Sequence, residues 1–183
     1  MLISGILFGV KRKINLLSLG DLIAFSSPPG LFFGRIANFI NGELWGKPTT
    51  LPFGIQFTKG QGQFCPTTTE ITCLRHPSQL YEAFFEGIVL MLIFYYLVFF
   101  SKALKKPGII FGSFLLGYGV IRFLIEFLRE PDAFFITNEN PYGYVIEFFP
   151  GIGISMGQLL TVPMIIFGLL MILLVTKRTT DAN

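Results

Sequence analysis

Two short stretches of this sequence put arginine inside apolar chain, and both arginines have partners at helical spacing. "GYGVIRFLIE", from Gly117 to Glu126, sets Tyr118, Arg122 and Glu126 at i, i+4 and i+8, one face of a helix. "GRIANFINGELWG", from Gly34 to Gly46, sets Arg35, Asn38 and Gly42 at i, i+3 and i+7, with Asn41 and Glu43 near its far end, again one face. Each arginine is followed, one or two turns on, by a carboxylate. The guanidinium is planar and permanently charged, which suits it to phosphate. Two such forks in one lipid-accessible cavity suit a phospholipid headgroup. The plainer account is an Arg122–Glu126 pair that only holds helices together, with Asn41 making interhelical bonds or caps. An arginine deep in a bilayer costs about 2.5–3.5 kcal/mol even on insertion scales, and such charges mark function more often than packing.

That argument needs a bilayer, and composition supplies it. The chain has 183 residues, of which 52% are hydrophobic and 14% charged. Phenylalanine alone accounts for 22, and the mean hydropathy is +0.65. A soluble domain carries about 25% charged residues. The fold class expected is an all-α integral membrane protein, a polytopic helical bundle forming one domain over 1–183. Spans are expected at 16–42, 79–100, 108–128 and 154–175, each near the ~20 residues that cross a bilayer. The first of these is the weakest, since Asp21 and a Pro28-Pro29-Gly30 break lie inside it. Residues 1–10 are about half a span and read as the end of a helix that begins upstream. No signal-peptide cleavage site is visible. The loops at 44–77 and 129–153 are expected on the outer side. Lys11, Arg12, Lys13, Lys102, Lys105, Lys106, Lys177 and Arg178 crowd the other three connections, which the positive-inside rule assigns to the cytoplasm. The net charge of +3 is therefore a topology signal, and no nucleic-acid partner is expected. No zinc spacing, P-loop or dinucleotide motif occurs; neither metal nor cofactor is expected.

Other polar residues sit at span entrances. In "HPSQLYEAFFE", Gln79, Glu82 and Glu86 share one face, and His76, the only histidine, reads as an N-cap or headgroup-level residue before Pro77 at N1. Ser155 and Gln158 in "ISMGQLL" fit a capping box. Gly46, Lys47 and Pro48 are expected to stop the helix that carries Arg35. Cys65 and Cys73, the only cysteines, both fall in the first outer loop. An oxidising compartment would allow a disulfide, but spacing does not fix pairing, and two free thiols is the reading kept.

"GRIANFINGELWG", "RHPSQLYE", "GYGVIRFLIEFLREPD" and "ISMGQLLTVPM", in that order, resemble the bacterial prolipoprotein diacylglyceryl transferases from about Asp21 onward. The resemblance implies a seven-span fold in the cytoplasmic (inner) membrane with a cytoplasmic carboxyl terminus. It implies transfer of the diacylglyceryl group of phosphatidylglycerol to the lipobox cysteine thiol of prolipoprotein signal peptides, releasing glycerol phosphate. On this resemblance Arg35, Asn38, Glu43, Arg122 and Glu126 are catalytic, and Arg35, Gly46, Tyr118 and Arg122 bind substrate. Membrane lipid and prolipoprotein are the partners. Ala37 replaces the family's usual glycine. The family's His-Gly-Gly motif, whose histidine is the proposed base for the thiol, and a further tyrosine have no match in the chain, which corresponds to the carboxyl-terminal portion of the enzyme. A truncated gene, a misplaced start and a split gene would each produce this. Two rival readings stay open: an inactive truncated fragment, and a small anion transporter or channel, although the inverted repeats expected of a transporter are not evident.

Overall fold

The computed structural model describes residues 2–57, 73–101, 103–131, 133–137, 140, 142–149 and 151–180. It is helical. A short α1 (Leu2–Lys11) leads into α2 (Leu16–Asn41), followed by α3 (Ser78–Phe99), α4 (Ile109–Ile125) and α5 (Met156–Thr180). Two small antiparallel hairpins decorate the connections: β1 (Ile55–Gln56) with β2 (Leu74–Arg75), and β3 (Ile146–Phe149) with β4 (Ile152–Ile154). Helix α2, the Ser78–Phe99 segment and Met156–Arg178 are long and apolar enough to cross a membrane, with mean hydropathies of 1.3, 1.9 and 2.7. Helix α4 is apolar but has 17 residues, about 26 Å at the α-helical rise, which sits at the lower limit for a span. The bundle wears its large apolar side chains outward: Leu92, Phe99, Leu170 and Leu174 are exposed, while Asp21, Gln79, Glu82, Glu86 and Arg122 are buried. This reverses the arrangement of a soluble domain and fits a multi-pass membrane protein.

Helix α2 runs unbroken through Pro28 and Pro29, where the sequence suggested a break. The Ser26 and Ser27 hydroxyls donate to Ile23 O at 3.0 and 2.7 Å just before the prolines, and membrane helices tolerate such prolines. The helix ends at Asn41, before Gly46, Lys47 and Pro48. Gly42 adopts a left-handed φ of 70°. Its N–H donates to Phe39 O and the Glu43 N–H to Asn38 O, both at 3.1 Å, which closes the helix as a Schellman motif.

Helix α3 opens at Ser78 with Pro77 at its N-cap, one residue later than expected, so His76 lies before the cap. From Ala83 to Val89 it widens into a π-helix. The interior core is Ala24, Leu90, Phe94, Ala103 and Ile110, contributed by α2, α3, the Ala103–Lys105 turn and the start of α4. At one end of the bundle, α2 and α4 are tied together by Asp21, whose carboxylate accepts from Gly108 N at 2.7 Å and Phe111 N at 2.8 Å. This caps α4 from a neighbouring helix. At the other end, the residues after α2 meet the entrance to α3 and the exit of α4. Gly46 N–H donates to His76 O, Lys47 N–H to Leu128 O, and Gly46 bridges Arg129. Helices α2 and α4 are thus parallel to each other and antiparallel to α3 and α5. Cys73 is disulfide-bonded, which corrects the free-thiol reading for that residue; Cys65 lies outside the described residues.

Candidate active site

The two arginines found by their spacing are brought together, and what joins them comes from a third helix. Glu82, fully buried, bridges both: its Oε2 is 2.9 Å from Arg35 Nε and its Oε1 2.5 Å from Arg122 Nη1. Glu86, one turn along α3 and also fully buried, lies 3.3 Å from Arg35 Nη2 through its Oε2. Arg122 Nη2 meets Glu126 Oε2 at 2.7 Å, the i+4 pair expected. Arg129 adds a longer contact to Glu126 at 3.8 Å. The result is a chain of alternating charges, three arginines and three glutamates, laid across α2, α3 and α4. Tyr118, one turn from Arg122, lies within electrostatic reach of Glu86, Arg35, Arg122 and Glu82 and stacks on Phe114 at 5.6 Å.

Each member is held by local structure. Glu126 is pinned from α5, where the Ser155 hydroxyl donates to its Oε1 at 3.1 Å. The Ser155 and Gln158 capping box is present in both directions, Ser155 N to Gln158 Oε1 at 3.1 Å and Gln158 N to Ser155 Oγ at 3.3 Å. Gly157 makes room for this, because a Cβ there would stand 2.5 Å from the Glu126 carboxyl carbon. The network is not fully satisfied. Arg35 Nε and Glu82 Oε2 are close enough for an ion pair but lack hydrogen-bond geometry, and Glu86 Oε1 is buried without a hydrogen-bond partner. Buried polar atoms are rarely left so.

The other residues singled out from sequence stand apart from this cluster. Asn38 is half-buried one turn beyond Arg35, with its carbonyl used in closing α2. Glu43 is exposed past the helix end. Its side chain accepts from Asn41 Nδ2 at 3.1 Å and its carbonyl from Gln79 Nε2, so the carboxylates beside Arg35 come from α3 and not from Glu43. Gly46 is buried, and a Cβ on it would meet His76 and the Leu128 carbonyl at 2.6 Å. Arg75 locks that crossing: its Nη1 donates to Gly46 O at 3.2 Å and to Glu130 at 3.1 Å, and its guanidinium lies over Trp45.

Glu82 and Glu86 are the members that spacing arguments did not assign. The available signal was two carboxylates on one face of a span, which require cations from elsewhere. Beside the charged cluster lies an apolar cavity of about 510 Å³ between α3 and α4, lined in part by His76, Tyr81, Phe85, Ile121, Leu124 and Leu128. Tyr81 and Phe85 immediately precede Glu82 and Glu86, so polar cluster and cavity share a wall. His76 Nδ1 lies 3.3 Å from the Tyr81 hydroxyl, and burial holds the imidazole below its usual pKa.

A family model described as prolipoprotein diacylglyceryl transferase matches residues 1–174. Three relatives, each named phosphatidylglycerol–prolipoprotein diacylglyceryl transferase, illustrate the likeness. That of Cereibacter sphaeroides is 52% identical over 169 residues, 92% of this chain and 57% of the relative. That of Ruegeria pomeroyi is 47% identical over 173 residues, 94% and 58%. That of Caulobacter vibrioides is 46% identical over 169 residues, 89% and 51%. The chain therefore spans a little over half the length of these relatives. With the match running through both arginine helices and the helix that joins them, the chain belongs to the prolipoprotein diacylglyceryl transferase family.

Proposed function

We propose that this chain forms the phosphate-holding part of an enzyme that moves the diacylglyceryl group of phosphatidylglycerol to the lipobox cysteine thiol of prolipoproteins. The observation that carries the reading is Arg35 and Arg122, delivered by different helices to the two oxygens of one buried carboxylate, beside an apolar cavity. In the reaction the cysteine sulfur bonds to the glyceryl carbon that carries phosphate. The carbon–oxygen bond to phosphate breaks and its electron pair leaves on glycerol phosphate. The thiol proton passes to a base, for which the family resemblance points to the histidine of the His-Gly-Gly motif. Negative charge grows on the departing phosphate, and fixed guanidinium groups in a low-dielectric site stabilise it.

In this reading Arg35 and Arg122 hold the phosphate, Glu126 orients Arg122, and Tyr118 borders the site. Asn38, Glu43 and Gly46 shape the end of α2 where substrate enters. The cavity receives apolar parts of the lipid. The protein sits in the cytoplasmic (inner) membrane with 16–42, 79–100, 108–128 and 154–175 spanning, the site end outward and the carboxyl terminus inward. The basic connections support this orientation.

The test is a mass assay with a lipobox peptide and phosphatidylglycerol, run on this chain and on a version extended to the relatives' length. The expected result is the diacylglyceryl mass gain in the extended version. No gain there overturns the reading. Gain only in the extended version means that residues 1–183 need the rest of the fold, in keeping with their partial coverage of the relatives.

A further inference from the structure

We propose that Glu82 is an internal stand-in for the lipid phosphate: it occupies the position between Arg35 and Arg122 that the headgroup takes, and phosphatidylglycerol binds by displacing it. The inference rests on reading the arginine pair as a phosphate site. Glu82 offers one oxygen to each arginine, which is how a bridging phosphate would present two of its oxygens. The carboxylate is fully buried, whereas the arginine side chains keep 16% and 10% exposure, so the cations remain approachable from the open side.

Charge counting points the same way. Arg35, Arg122 and Arg129 are matched by Glu82, Glu86 and Glu126. With all six ionised, the cluster carries no net charge. An arriving phosphate would bring net negative charge into a low-dielectric site, where like charges repel strongly, unless a carboxylate gives way. Glu82 is the member best placed to do so. Removing its charge leaves Arg35 with Glu86 and Arg122 with Glu126. Its contact with Arg35 Nε is an ion pair without hydrogen-bond geometry, as is that of Glu126 Oε2 with Arg122, but only Glu82 stands between the two arginines. Glu82 also stands at the junction where the first turn of α3 meets the Ala83–Val89 π segment. Such bulges are frequent at functional sites.

The test is a binding titration by native mass spectrometry on the full chain in detergent. The probes are phosphatidylglycerol and a diacylglycerol of matched chains, which lacks the phosphate. Glu82→Gln keeps the shape and removes the charge. The expected result is at least tenfold tighter phosphatidylglycerol binding with diacylglycerol binding unchanged. A purely structural Glu82 gives the opposite sign, because losing it disorders both arginines and weakens binding. Unchanged or weaker phosphatidylglycerol binding by folded Glu82→Gln overturns the proposal, as does an equal gain for diacylglycerol. If Glu82→Gln does not fold, Glu82→Asp takes its place. Its carboxylate is one methylene short of bridging both arginines but keeps its charge, so a smaller gain in phosphatidylglycerol binding, still with diacylglycerol unchanged, is expected. Arg122→Ala separates this idea from the reading beneath it. Undiminished phosphatidylglycerol binding by Arg122→Ala removes the phosphate site itself, whereas its loss together with no gain in Glu82→Gln removes only the stand-in.

Discussion

Replacing Asp21 tests whether the bundle is held by polar contacts at the end far from the arginine cluster. Its carboxylate is 2% exposed and accepts two backbone hydrogens at the start of α4, from Gly108 and Phe111, at 2.7 and 2.8 Å. Asp21→Ala removes both acceptors and orphans two donors at a helix N-terminus. A hydrogen bond to a charged group contributes about 1.5–3 kcal/mol. The low end applies, because a chain unfolded in detergent or lipid finds other partners. Two bonds then give a loss of about 3 kcal/mol. Asp21→Asn keeps one acceptor oxygen and should lose about half as much. The assay is unfolding in mixed micelles with increasing sodium dodecyl sulfate, followed by circular dichroism. A loss below about 1 kcal/mol for Asp21→Ala would refute the capping argument, as would equal losses for alanine and asparagine.

The remaining predictions concern the other end. Arg122→Lys keeps one charge but cannot reach Glu82 and Glu126 through two separate nitrogens, so transfer by the extended enzyme should fall at least tenfold, or ~1.4 kcal/mol, at normal membrane level by immunoblot; near-normal transfer would show that the two-pronged contact is not required. Gly157→Ala drives a methyl into the Glu126 carboxylate, which Arg122 and Ser155 hold in place, and should cost about 1–3 kcal/mol in the same detergent titration. Burial lowers the His76 pKa, so the unfolded chain takes up a proton first as pH falls. Stability should therefore rise with pH between that lowered value and the unfolded value of about 6.5; thermal melts across that window should show it, and His76→Gln should flatten it.

What could be read from the sequence was local. The Ser155–Gln158 capping box and the Arg122–Glu126 pair depend on residues three and four apart, and helix geometry alone brings such residues together. Membrane class followed from apolar runs, which need no tertiary information. The partners of Arg35 did not follow, because Glu82 and Glu86 lie about fifty residues away and pairing across that gap is decided by helix packing. Glu43 looked like the partner only because it is near in sequence; Gly42 ends the helix and turns Glu43 out to solvent. The proline pair looked like a break because proline costs a helix about 3 kcal/mol in water. Helix α2 nevertheless runs through both prolines, as helices in membranes commonly allow.

Register explains why one short carboxylate can serve two arginines. Hydrophobic burial does not align helices in lipid, where the surrounding tails are as apolar as the side chains, so polar contacts must set the heights. Asp21 fixes α2 level with Gly108 at the start of α4. Arg35 lies fourteen residues beyond Asp21, and Arg122 fourteen beyond Gly108, about 21 Å along each of two parallel helices. The arginines therefore arrive at one depth whatever the intervening apolar residues are. Helix α3 descends between them from a fixed entrance, because Ser78 donates to Leu44 O and Gln79 to Glu43 O, which hangs its first turn from the end of α2. Glu82 is one turn below that anchor. The same contacts that make α3 a stable span thus deliver a carboxylate to the arginine level, and a slip of one turn, about 5.4 Å, would leave both guanidinium groups without it. Paired in this way, the buried charges can sit at a depth where an unpartnered arginine would be costly.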